Sequence, residues 1–275
     1  MVTDDPNNFG AFARVYLDWH RHEYPDSNWR VVHIINTIFA HLHPRALDAV
    51  TPLELERWKM RRLGEVSKST VLKELRSLAA LYNAAVTWGV TSHNPVRAVR
   101  KPREHQRPPR WYSADELSRI YRVAGAHAPW WRLVANTGLR LSEALQLRHE
   151  DIRAGVLHVV SRAGARTKSL QSRQVPLSPG AVAALAQLPE SGNQFVLPRM
   201  HPKSMSRAFR RDAHRAGLNG SLHTLRHTFA AHLASSGIPL REIQLLLGHS
   251  TIRVTEIYAH LAPERLTAAV ARLDL

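Results

Sequence analysis

The 275 residues include no cysteine, so disulfides and thiolate metal sites are excluded and the redox compartment is left undetermined. Long apolar runs are missing too. The longest, Val31 to Leu42, is interrupted by His33, Asn36, Thr37 and His41, and falls short of the roughly 20 residues that a membrane span requires. The amino terminus, MVTDDPNNFG, lacks the basic and apolar regions of a signal peptide. We therefore expect a soluble cytoplasmic protein without a membrane partner. Acidic residues are scarce relative to basic ones, 22 against 38, for a formal net charge of +16. That balance points to a polyanionic partner. It is also uneven: residues 1 to 100 hold 13 Lys and Arg against 10 Asp and Glu, whereas residues 101 to 275 hold 25 against 12.

Several amphipathic helices are predicted over residues 9 to 100. Phe12, Val15, Tyr16 and Trp19 recur at helical spacing, as do Val31, Ile34, Ile35, Ile38 and Leu42. Thr51 with Pro52 reads as a helix start, and Ser69 or Thr70 as the cap of a longer helix carrying Val71, Leu75, Leu78, Tyr82 and Ala85. Arg57, Lys59, Arg61, Arg62, Lys68 and Lys73 are the clustered cations of this part. Residues 101 to 112 lie in a Pro-, Arg- and Lys-rich stretch without apolar period, which reads as a basic linker. Ser113 with Glu116 forms a capping box that opens a second domain, 113 to 275.

Within that domain Arg140 stands at a helix start, on the wrong end of the helix dipole, so a bound phosphate or Glu143 is needed to compensate it. Val156 to Val160 and Gln174 to Leu177 read as a β-hairpin or small sheet. Lys203, Arg207, Arg210 and Arg211 line a helical run that contains one acid, Asp212. From Leu222 to His260 the pattern is denser. His223 and Arg226 are three apart on a helix and share a face. Gly237 and Pro239 break that helix, a second runs to Leu247, and Gly248 ends it just before His249. Tyr258 follows nine residues later. Guanidiniums that hold phosphate oxygens, imidazoles that move protons and a phenol suit attack of tyrosine on a phosphodiester.

The stretches His223-Thr-Leu-Arg226, Leu247-Gly248-His249 and Tyr258, with the earlier Arg140 segment, resemble the signature of the tyrosine recombinase (phage integrase) family. The resemblance implies a mainly α fold with a small β-hairpin or sheet: an N-terminal helical core-binding (SAM-like) bundle over residues 1 to 100 and a C-terminal catalytic domain. It also implies the roles. Tyr258 attacks DNA to give a 3′-phosphotyrosine, Arg140 and Arg226 hold the phosphate, and His249 hydrogen-bonds it. Lys168, the only lysine on the expected hairpin, protonates the leaving oxygen, and His223 assists proton removal from Tyr258. Glu143 orients a cation, and the Lys203 to Arg211 helix enters the major groove. No cofactor or metal is expected.

The implied partner is double-stranded DNA with inverted core sites, bound by a protein that is monomeric in solution and a homotetramer on synapsed DNA, in association with the nucleoid. The residues before 9 are too few for an arm-binding domain, so a simple two-domain recombinase is expected. Integration or excision of a mobile element is the first reading. The same chemistry resolving chromosome or plasmid dimers is the second, and a DNA-binding regulator without catalysis the third. A zinc helix built on His223 and His227 is disfavoured, because HTLRH has no glutamate and sets Arg226 beside the ion. His227, His232 and His260 read as structural or surface groups.

Overall fold

The computed structural model describes residues 7–25, 28–42, 46–103, 108–160, 162, 172–189 and 193–262. Lys168, most of the hairpin loop around it and the segment from Pro263 onward lie outside the described residues. The chain divides into two compact units, Met1–Gln106 and Arg107–Leu275.

The first unit packs four helices, α1 (Phe9–Glu23), α2 (Asn28–Leu42), α3 (Pro52–Glu65) and α4 (Lys68–Thr87). Their apolar stripes meet in one core that includes Phe9, Phe12, Tyr16, Ile35, Leu55, Trp58, Val71, Leu75, Leu78 and Tyr82. Thr51 caps α3 in a full capping box with Glu54. Helix α4 starts two or three residues earlier than the sequence pattern indicates: its cap is Ser67, whose hydroxyl accepts from Thr70 N, rather than Ser69 or Thr70. The basic cluster is also smaller than its sequence suggests. Arg62 is buried and donates to both Glu74 carboxylate oxygens, at 3.1 and 2.5 Å, while buried Lys59 donates to Arg100 O at 2.8 Å. Both cations hold the bundle together, which leaves Arg57, Arg61, Lys68 and Lys73 facing solvent.

The second unit holds α5 (Ala114–Ala124), α6 (Ala128–Thr137), α7 (Leu141–Gln146), α8 (Pro179–Ala186), α9 (Pro202–Arg215), α10 (Leu222–Ser235) and α11 (Leu240–Leu247). A small antiparallel sheet joins them, in the order β1 (Ile152–Arg153), β2 (Val156–Val159), β3 (Arg173–Pro176), with Leu157 opposite Val175 and Val159 opposite Arg173. A mainly helical fold with a small sheet is thus what the patterns led us to expect. Trp111 and Tyr112 depart from the basic linker without apolar period that was expected over 101 to 112. Tyr112 is fully buried, its N–H donates to Thr228 Oγ1 at 3.0 Å and its hydroxyl to Asn219 O at 3.2 Å. Aromatic area of this size is worth more in the core than in water, so the chain is tied down before α5 begins.

Helix α10 runs through the middle of this unit, with Leu222, Leu225, Arg226, Thr228, Ala230, Ala231 and Ala234 all buried. Its small residues let Tyr258 approach closely, and Ala230, Ala231, Ala234, Ile243, Leu247 and Tyr258 form one apolar cluster. Tyr258 lies on a 3-10 segment, Glu256–Leu261, that follows α11. Among the described residues, no helix is long and apolar enough to cross a membrane.

Candidate active site

The site is built on the carboxyl-terminal turn of α11. A helix end leaves its last carbonyls without intrahelical partners and carries partial negative charge, so it attracts cations. Here three consecutive carbonyls each take a different arginine. Leu246 O accepts from Arg173 Nε at 2.7 Å, Leu247 O from Arg226 Nη2 at 2.7 Å, and Gly248 O from Arg140 Nη2 at 3.0 Å. His249 comes next in the chain. The turn requires glycine at 248, where φ is +65° and a Cβ would lie 3.0 Å from Arg173 Cδ.

Arg226 is 2% exposed, and its other terminal nitrogen donates to Gly138 O at 2.6 Å, past the end of α6. Burial, together with the neighbouring charges of Arg140 and Arg173, lowers its pKa to about 9. Gly138 again needs its missing side chain: φ is +62°, and a Cβ would meet Phe229 at 2.5 Å. Arg140 is the residue before α7, as the sequence indicated, and Glu143 supplies the compensation it needs. The Glu143 carboxylate accepts from Arg140 N at 2.9 Å and from Arg140 Nη1 at 2.7 Å. It also accepts two bonds from Arg173, at 3.0 and 2.7 Å. Burial pushes the Glu143 pKa up, but the hydrogen bonds and charge of Arg173 and then Arg140 outweigh it and bring the value down to about 2. Glu143 is therefore an anion locked among cations.

His249 shares a hydrogen bond of 2.9 Å between its Nδ1 and Thr255 Oγ1, and Gln244 Nε2 donates to its carbonyl at 2.9 Å. Burial first, and then the charges of Arg226, Arg140 and Arg173, lower its pKa to about 4, so the imidazole is neutral at pH 7. Tyr258 is 2% exposed. Burial raises its pKa to about 12, against a smaller opposing effect from Arg226. Its hydroxyl lies 2.5 Å from His227 Nδ1, and the His227 ring meets His223 edge-on with centroids 4.6 Å apart. His227 is driven down to about 4 by burial and by the neighbouring His223 and Arg226. Trp111 packs against the apolar cluster that contains Tyr258.

Arg140, Glu143, Arg226, His249 and Tyr258 thus belong to one neighbourhood, with His223 joined to it through His227. Lys168 is outside the described residues. Lys203, Arg207, Arg210 and Arg211 lie on the exposed side of α9, whose opposite side buries Met205, Ala208, Phe209 and Asp212. Two members of the site escaped sequence reasoning. Arg173 opens β3, and nothing local shows that it crosses to Glu143, 30 residues away. His227, read as structural or surface, holds the tyrosine hydroxyl; its one local signal is the four-residue spacing from His223. Among the described residues no three His, Asp or Glu side chains converge as a metal site would require.

Comparisons with known proteins show the family and the fold. The model of the phage integrase family matches residues 111–265. A putative integrase of Pseudomonas phage Pf1 is 34% identical over 227 residues, covering 78% of this chain but only 64% of the phage protein. A tyrosine recombinase XerC of Serratia marcescens is 30% identical over 237 residues, covering 77% of this chain and 76% of the relative. In structure, a lambda integrase dimer bound to a core site superposes with a TM-score of 0.82 at 19% identity, over 94% of this chain and 97% of that one. A lambda integrase tetramer bound to a Holliday junction gives 0.79 at 20% identity, over 90% and 79%. At such identity the superpositions speak for the fold.

Proposed function

This chain belongs to the phage integrase family, the tyrosine recombinases that break and rejoin DNA strands, and on that premise we propose that it is a site-specific recombinase acting on a mobile element, with Tyr258 as its nucleophile. The observation that carries the reading is the arginine-filled turn of α11. It sets Arg140 and Arg226 beside His249, and it packs Leu247 against the tyrosine. Tyr258 Oη attacks phosphorus, the bond from phosphorus to the 5′-oxygen breaks, and a 3′-phosphotyrosine forms that retains the energy needed for rejoining. Arg140 and Arg226 hold the non-bridging oxygens and stabilise the charge that builds on them, and His249 hydrogen-bonds the same phosphate. Lys168 gives the leaving 5′-oxygen its proton. Glu143 and Arg173 act by orienting Arg140.

Lys203, Arg207, Arg210 and Arg211 are the cations we assign to the major groove, and the helical first unit is assigned as the core-binding domain. The partner is duplex DNA with inverted core sites. The protein is assigned as a monomer in solution and a tetramer on synapsed DNA, in the cytoplasm and on the nucleoid. Support for the assembly comes from the fold shared with a lambda integrase tetramer on a Holliday junction. Resolution of chromosome or plasmid dimers by the same chemistry is the second reading, since the chain resembles bacterial recombinases almost as closely as it does the phage protein. Sequencing DNA trapped on the protein separates the two: junctions of a mobile element support the first, a chromosomal or plasmid resolution site the second.

The chemistry is tested on a nicked duplex that loses its 5′-fragment after cleavage and so traps the adduct. The protein is expected to form an SDS-resistant DNA adduct, and Tyr258→Phe is expected to form none. An adduct that survives this substitution reassigns the nucleophile.

A further inference from the structure

The tyrosine hydroxyl has one close partner in the described site, and it is the histidine just outside the His-x-x-Arg box. Tyr258 Oη and His227 Nδ1 are 2.5 Å apart. His227 sits one turn after His223 on α10, it is half-buried, and the two imidazoles meet at 81° with centroids 4.6 Å apart. His223 itself is exposed. Contact by contact, the three groups thus lead from a buried hydroxyl to an exposed imidazole. We infer that His227 takes the phenolic proton as Tyr258 attacks and that it passes a proton outward along the His223 edge, so that His227 acts as the base of the cleavage step. The inference rests on the reading of Tyr258 as nucleophile and reassigns the proton acceptor expected at His223.

The step balances. The Tyr258 O–H bond breaks as its oxygen bonds phosphorus, the proton goes to Nδ1, and the 5′-oxygen leaves with a proton from its own donor. The imidazolium then releases Nε2–H toward His223 and water. What is left is a neutral His227 with its hydrogen on Nδ1. When a 5′-hydroxyl attacks the phosphotyrosine, Nε2 takes a proton back from the His223 side and water as Nδ1 returns its proton to the phenolate, as reversibility demands.

Physical chemistry favours this acceptor. The titratable and charged groups facing His227 are His223 and Arg226 on its own helix, and Tyr258 on the 3-10 segment packed against it. Burial, and after it His223 and Arg226, keep the imidazole uncharged at neutral pH, with a pKa of about 4, while burial holds the phenol protonated with a pKa of about 12. In the Nε2–H tautomer of that neutral ring the hydroxyl donates and Nδ1 accepts. Transfer is strongly uphill in the resting protein and becomes downhill only as oxygen bonds phosphorus and its proton grows acidic. A DNA phosphate brings a negative charge close, which raises the basicity of His227 at the moment it is needed.

The test is single-turnover adduct formation on the nicked duplex, with thermal unfolding and DNA affinity measured for each variant. Tyr258→Phe is the control on the underlying reading: if it still forms the adduct, the nucleophile is wrong whatever His227 does. In His227→Asn the Oδ1 atom can accept the hydroxyl where Nδ1 did but cannot carry its proton; His227→Ala removes both. Both are expected to bind DNA as the parent does and to cleave on the order of 10²-fold more slowly. Their rates should rise about tenfold per pH unit between pH 6.5 and 8.5, because the phenolate must now form in advance. The parent and His223→Ala should show no such rise. A His227→Asn protein that cleaves within a few-fold of the parent overturns the inference. So does a loss that is independent of pH, which would give His227 a packing role, or faster cleavage, which would make it a restraint on the tyrosine.

Discussion

Glu143 is the residue on which three guanidiniums balance. It accepts directly from Arg140 and Arg173, and its charge partly offsets the repulsion that lowers the pKa of Arg226. Glu143→Gln removes that charge and leaves buried cations facing one another, a loss expected to cost about 3 kcal/mol. The pH dependence follows from the direction of its shift. The folded pKa, about 2, lies below the ordinary 4.5, so the carboxylate contributes its full stability above pH 4.5 and loses it as the pH falls through 2. Urea unfolding at pH 7 should therefore separate the parent from Glu143→Gln clearly, and at pH 2 the two should nearly coincide; a difference unchanged across that range refutes the assignment. Arg140, Glu143, His223, Arg226, His249 and Tyr258 were legible in sequence because each belongs to a short motif with fixed spacing. Arg173 and His227 were not, because their partners lie 30 and 31 residues away and only the folded chain joins them.

At the scale of elements, the site depends on how two helices end. Helices α6 and α11 both terminate in glycines with positive φ, and the space a side chain would need is taken at each. At Gly138 a Cβ would overlap Phe229 on α10, the helix that carries Arg226. Gly155, with φ of +76°, has nothing within 4 Å and serves as the comparison. Gly155→Ala should cost about 1 kcal/mol from backbone strain alone, and Gly138→Ala distinctly more, with loss of DNA cleavage, since Phe229 must move. Equal losses in denaturant unfolding would show that the contact is unimportant. The breaks at Gly237 and Gly248 could be read from sequence because such residues punctuate helices. The short β1 and the docking of Trp111 and Tyr112 could not. Two residues carry too little period to mark a strand, and a Pro- and Arg-rich run hides the aromatic pair that leaves solvent.

For the whole molecule, the excess of positive charge predicts how it meets DNA. Lysine and arginine displace counterions from phosphates, so affinity should fall steeply with salt, and the slope of log affinity against log salt counts the contacts. Replacing Arg210, exposed on α9, by alanine should reduce that slope by about 1 and leave the fold intact; an unchanged slope removes α9 from the interface. Composition alone carried this expectation, because net charge needs no structure to be counted. What composition could not show is which cations are free to act. Lys59 and Arg62 sit in the first unit's basic cluster, yet both are turned inward to hold carbonyl and carboxylate groups.

The ladder of carbonyls at residues 246 to 248 has a further consequence. A main-chain oxygen is present whatever amino acid bears it, so the anchors of Arg173, Arg226 and Arg140 do not depend on the identity of residues 246 and 247, only on the winding of the helix. Leucines there could be exchanged for others of similar bulk without loosening a single guanidinium. An engineer redesigning this turn has freedom of spelling at 246, provided the buried bulk at 247 and the glycine that closes the turn are kept.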